Sequence, residues 1–133
     1  MFLLDVDGCT NPTILSEADR AQGYARPPYN KEDLNLETGW YRFEGAAGDR
    51  MPDKCVTIYR CGTWHPLWLD GSHPTVSEGV VTRTVCFSDS SNCCWKTGII
   101  KVKNCSSYYV YELPRTRIAS SRYCGNVIAG KLH

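Results

Sequence analysis

GVVTRTVCFSDSSNCCWKTGIIKVKNC occupies residues 79–105. Its two halves, Gly79 to Phe87 and Thr97 to Cys105, are rich in β-branched residues and bounded by Gly, Ser and Asn, a pattern that predicts two strands. Between them Cys93 and Cys94 are adjacent. Successive side chains of an extended strand face opposite sides, so these two cysteines are expected to tie into different layers.

Further strands are expected on either side. GWYRF at 39–43 and SSYYVYEL, which ends at Leu113, carry the same residue types. CVTIYRC at 55–61 places Cys55, Thr57, Tyr59 and Cys61 on one face of a strand by period-two geometry. Ser16-Glu17-Ala18-Asp19 matches a capping box ahead of a short helix that Gly23 would stop. Arg26-Pro27-Pro28-Tyr29-Asn30 and the charged residues after it read as a loop. The expected class is therefore all-β with small α content, a disulfide-rich antiparallel sheet domain.

Eight cysteines lie at 9, 55, 61, 86, 93, 94, 105 and 124. No CxxC spacing of the kind that gathers zinc ligands occurs, and an even number without chelating spacings points to disulfides made in an oxidising compartment. The expected localisation is secreted or extracellular. Asn104-Cys105-Ser106 is a glycosylation sequon in keeping with that, whereas Asn11-Pro12-Thr13 is disqualified by its proline.

A chain of 133 residues, 42% apolar and 22% charged, suits one globular domain over 1–133. No apolar run approaches the ~20 residues of a membrane span. The opening MFLLDVDG is too short for a signal peptide and reads as a mature start or an added Met. The closing GKLH reads as a junction to an affinity tag, so His133 is left out of the chemistry. A net charge of +1 gives no reason to expect nucleic acid. The charge is uneven, with 13 acidic residues up to residue 95 and one afterwards, and Lys96, Lys101, Lys103, Arg115, Arg117 and Arg122 are candidates for a basic face.

Residues available for catalysis are few. His65 and His73 both fall in WHPLWLDGSHP at 64–74, no GxSxG or phosphate-binding glycine loop occurs, and nothing singles out a carboxylate pair. Neither an enzyme nor a cofactor is expected. Trp64, His65, Trp68, Asp70 and His73 are the candidate ligand-binding residues, since exposed indoles suit a sugar-binding platform. His65, Asp70 and His73 match no recurrent zinc spacing, and Asp70-Gly71 between two prolines is a turn signal. The favoured reading is a structural loop over a buried tryptophan pair, with His73 hydrogen-bonded to backbone.

GWYRF, AGDRMPDKC at 47–55, CGTWHPLWLDGSHP at 61–74, EGVVTRTVC at 78–86, the Cys93-Cys94 pair, IKVKNC at 100–105, YYVYEL at 108–113 and YCG at 123–125 together resemble the cysteine-rich domain of uromodulin and its relatives. The match runs in order over about residues 39–125. It implies an extracellular, β-rich, non-enzymatic module usually set in a mosaic beside EGF or zona-pellucida parts. It also implies bridges Cys9–Cys105, Cys55–Cys93, Cys61–Cys124 and Cys86–Cys94. Larger family forms carry two more cysteines, whose approximate positions here are Asp33 and Ala119. Glycan acceptors of the relatives fall at Glu112 and Asp70, so neither is available and Asn104 alone offers a sugar. The implied function is a secreted recognition or assembly module for an extracellular protein, with carbohydrate binding through exposed aromatics or a basic face as the alternative.

Overall fold

The computed structural model describes residues 8–128, so residues 1–7 and 129–133, with the GKLH end, lie outside the described residues. Seven strands form one sheet: β1 (Thr13–Leu15), β2 (Gly39–Phe43), β3 (His65–Asp70), β4 (Val81–Asp89), β5 (Asn92–Asn104), β6 (Tyr109–Leu113) and β7 (Ser121–Tyr123). Their order is β1-β2-β6-β5-β4-β3-β7. The pairs β1 with β2 and β3 with β7 are parallel, and the inner pairs are antiparallel.

The hairpin of β4 and β5 is the centre of the sheet, in register from Val81 opposite Val102 down to Asp89 opposite Asn92, with a shift between Phe87 and Asp89. Period-two geometry sends Val85, Phe87, Ile100 and Val102 into the core. There they meet Leu67 and Leu69 of β3, Tyr111 and Leu113 of β6, and Tyr41 and Phe43 of β2. Tyr111 is fully enclosed, with its ring edge-on to Phe43 at 5.5 Å between centroids.

All eight described cysteines are bridged, as Cys9–Cys105, Cys55–Cys93, Cys61–Cys124 and Cys86–Cys94. Cys94 ties β5 across to β4, while its neighbour Cys93 reaches out to the loop at Cys55. A second, smaller cluster of Val56, Cys61 and Cys124 packs under Trp68.

Three local expectations fail, each for a tertiary reason. CVTIYRC is an irregular loop, not a strand, with Tyr59 and Cys61 at φ of 65° and 61°. Its alternation reflects where the two cysteines must arrive rather than a pleat. The helix after Ser16 is a single 3-10 turn, Ala18–Arg20. The backbone there is committed elsewhere: Gln22 N–H donates to Gly125 O, and Gly125 N–H to Arg20 O. Gly125 lies so close to Ala47 that a Cβ would meet the Ala47 carbonyl, which makes glycine obligatory at this crossing. The third failure is WHPLWLDGSHP, which is mostly strand β3 rather than loop. Pro66 is tolerated because β3 pairs there with the short parallel strand β7. A true capping box, unmarked in the sequence reading, closes the 3-10 turn Val76–Glu78: Thr75 N–H and hydroxyl both donate to Glu78 Oε1, at 2.8 and 3.2 Å.

Hydrogen bonds also join the segments around Asp33 and Ala119. Asp33 N–H donates to Ser121 O at 2.8 Å and Ser120 N–H to Glu32 Oε1 at 2.8 Å.

Candidate functional site

The five candidate binding residues do not form one site, because β3 carries them apart. At about 3.3 Å per residue, His65 and Asp70 lie at opposite ends of the strand. Trp68 turns inward: its Nε1–H donates to Cys93 O at 2.9 Å and approaches Ser88 Oγ at 3.1 Å. Asp70 is exposed at the turn. Asp70, Cys86 and Cys94 lie within 4.8 Å of one another, but both sulfurs are spent in a disulfide, so only the carboxylate offers a metal ligand.

His73 bonds a side chain, not the backbone as expected. Tyr111 Oη accepts from Met51 N–H at 2.9 Å and shares a hydrogen bond of 2.7 Å with His73 Nε2. The imidazole rests on the Tyr109 ring at 4.4 Å. Burial, followed by the nearby Arg50 charge, lowers its pKa to about 4, and burial raises that of Tyr111. Both groups are therefore neutral at neutral pH, and the pair is a structural hydrogen bond.

Trp64 and His65 join a different set. Tyr29 lies 4.6 Å from Tyr59, Tyr59 4.8 Å from Trp64, Trp64 6.1 Å from His65, and His65 is stacked on Trp95 at 4.8 Å. Five rings thus run in a row across the end of the sheet where β3 begins and β5 begins. Trp64 and Trp95 are each 38% exposed, enough to offer indole surface to a partner. His65 is anchored from below. His65 Nδ1 lies 2.9 Å from the Ser88 carbonyl, which can only accept, so Nδ1 carries the proton. Asp89 Oδ1 stands 3.9 Å from the same nitrogen, and Lys96 Nζ lies 5.4 Å from the centre of the Trp95 ring.

The sequence reading missed Tyr29, Tyr59 and Trp95. Trp95 had a signal, a large aromatic directly after the cysteine pair and outside the alternating core positions of β5. Tyr29 and Tyr59 had none, since each lies in a loop whose path is set by tertiary bonds.

The candidate basic residues are dispersed. Arg122 is internal, with Nη1 2.8 Å from Asp19 Oδ1 and 3.2 Å from Cys61 O. Lys101, on β5, is exposed. Lys96, Arg115 and Arg117 gather beside an apolar cleft. Asn104 ends β5, half-buried, its Nδ2–H donating to Pro74 O at 3.1 Å and its Oδ1 accepting from Ser106 N–H at 2.8 Å.

The family model of the uromodulin-like domain matches residues 41–125. The chain is 46% identical over 124 residues to the dog pancreatic secretory granule membrane major glycoprotein GP2, covering 89% of this chain and 23% of that protein. It is 40% identical over 119 residues to rat uromodulin, covering 89% of this chain and 18% of that protein. Mouse uromodulin is 48% identical over 88 residues, 65% of this chain and 14% of that protein. The chain thus spans about a fifth of the length of these curated relatives. With four disulfides and this kinship, the protein is extracellular, and no helix among the described residues is long and apolar enough to cross a membrane. The chain belongs to the uromodulin-like domain family.

Proposed function

We propose that the chain is one uromodulin-like domain acting as a non-catalytic recognition or assembly module that binds an extracellular protein through the row Tyr29, Tyr59, Trp64, His65 and Trp95. The observation that carries this is the exposure of Trp64 and Trp95 within a row of ring contacts anchored at His65 by its hydrogen bond to the Ser88 carbonyl. Fixed aromatic side chains offer large contact area at little entropic cost, and they dominate protein interfaces. His65 is hydrogen-bonded to the Ser88 carbonyl. Asn104 is the proposed glycan acceptor.

The test compares the domain with a Trp64→Ala/Trp95→Ala variant, each immobilised and exposed to extracellular fluid from the source tissue. Partner capture is expected from the native domain and about ten-fold less from the variant, as for central aromatic anchors. Equal capture by both overturns the reading.

Carbohydrate binding is the second reading, favoured by Asp89 at His65 and Lys96 at Trp95, where sugar hydroxyls would find an acceptor and a donor. A glycan-array signal abolished by Trp64→Ala supports it over a protein partner.

A further inference from the structure

A cleft of about 280 Å³ opens between the β4 and β5 hairpin and the segment after β6. Val85, Phe87 and Ile118 give it an apolar floor, while Lys96, Arg115 and Arg117 stand at its margin. Gly98 keeps it open, because a Cβ there would come within 3.3 Å of Val85 Cγ2. Small-molecule sites usually occupy roughly 300 to 1,000 Å³. A space below that range holds one leucine- or phenylalanine-sized side chain rather than a whole organic ligand.

The charge beside it is one-sided. Among the described residues, Lys96, Arg115 and Arg117 make no ion pair, although Arg20, Arg42, Arg50, Arg83 and Arg122 do. Arg115 and Arg117 are exposed and held on the three-residue stretch Arg115, Thr116, Arg117, whose centre is buried and tied to Asp33 O by its N–H. Their spacing places both guanidinium groups on the solvent side of an anchored backbone. Lys96 lines the cleft with its stem and leans its ammonium toward Trp95, so the cleft and the aromatic row meet at this residue.

We propose that this cleft takes a single apolar side chain from an extended acidic peptide segment of a protein partner, with the flanking carboxylates on Lys96, Arg115 and Arg117. The assignment rests on the protein-recognition reading above and names the partner's chemistry. Apolar burial supplies the anchor, and the unpaired cations select against neutral or basic segments.

The test uses a fluorescein-labelled peptide, Gly-Glu-Glu-Leu-Glu-Glu-Gly, titrated with the full chain and read by fluorescence polarisation. Binding is expected at low salt, weakened about ten-fold when ionic strength rises from about 0.02 to about 0.3 M, as expected of exposed charges. Two control peptides, one with serine for leucine and one with glutamine for every glutamate, are expected not to bind. Arg115→Glu/Arg117→Glu, at exposed positions, is expected to abolish binding, while Lys101→Gln, an exposed cation of β5 outside the cleft, retains it. Equal binding of the glutamine peptide, or of the native peptide by the Arg115→Glu/Arg117→Glu variant, overturns the proposal. Binding of dodecanoate in place of the peptide does so as well. Aromatic-row-dependent capture without any peptide binding sinks the cleft alone; peptide binding sensitive to the arginines, with capture indifferent to the tryptophans, keeps the cleft and sinks the row.

Discussion

The Asp33 carboxylate receives both terminal nitrogens of Arg20, at 2.7 and 3.2 Å. Neither side chain is more than 4% exposed. The same carboxylate accepts Tyr123 N–H at 2.9 Å, and Arg20 donates to Tyr123 O at 3.0 Å, so the pair clasps β7 from the loop before β2. A buried pair of this kind is costly to break because the surviving charge has no water. Asp33→Ala is expected to lose about 3–5 kcal/mol, and the Arg20→Ala/Asp33→Ala double variant less than the sum of its singles. Urea unfolding of the oxidised protein measures both; strict additivity would show that the two residues act separately.

The disulfides should differ in worth according to the chain they close. Cys9–Cys105 spans 96 residues and Cys86–Cys94 spans 8. Chain entropy assigns the first about 4–5 kcal/mol and the second about 2.5 kcal/mol. Serine replacement of each pair, followed by urea titration, is expected to give losses in that order. A larger loss at Cys86–Cys94 would mean that packing around the bridge, not loop closure, sets the hierarchy.

How legible the fold was depended on whether local pattern and tertiary demand agreed. In β2, β4, β5 and β6 they agreed, since β-branched and aromatic residues alternate along segments that really pair on both edges. They conflicted at Ser16-Glu17-Ala18-Asp19, where a capping pattern is overruled by hydrogen bonds from Gly125. They conflicted again at Cys55 to Cys61, whose alternation comes from sulfur destinations. The bridge pairing itself was legible only through the resemblance to a known domain, because spacing does not encode connectivity.

The proposed site was half legible for a related reason. Trp64 and His65 stood out as aromatic neighbours in the sequence, but a row of rings is a property of separated segments brought to one end of the sheet. Trp68, Asp70 and His73 carried the same residue-type signal and are structural or solitary. Composition marks aromatic density; only the strand direction of β3 sorts which rings face outward.

His73 should make stability depend on acidity. Its pKa falls from 6.5 to about 4 in the folded state through burial and the Arg50 charge, so the unfolded chain takes up a proton more readily. The associated stability is complete above pH 6.5 and is lost as pH falls toward 4. Allowing for the part of the ring that water screens, the loss is about 1–2 kcal/mol. Melting temperatures of the native protein and His73→Gln, measured from about pH 7.5 to about pH 4, are expected to differ in slope over that window. Parallel curves would mean that folding leaves the His73 pKa where it stands in the unfolded chain.

Trp64 and Trp68 are four residues apart on or beside one strand and should behave as opposites. Trp68 packs over Val56, Cys61 and Cys124 and donates to the Cys93 carbonyl, so truncation leaves a cavity and removes a hydrogen bond. Trp68→Ala is expected to cost about 3–5 kcal/mol. Trp64 is 38% exposed and touches its row by ring edges, so Trp64→Ala is expected to cost under about 1 kcal/mol while removing partner capture. Urea unfolding and the capture assay on the same two variants separate the roles. A destabilisation at Trp64 as large as that at Trp68 would make the row part of the scaffold rather than a contact surface.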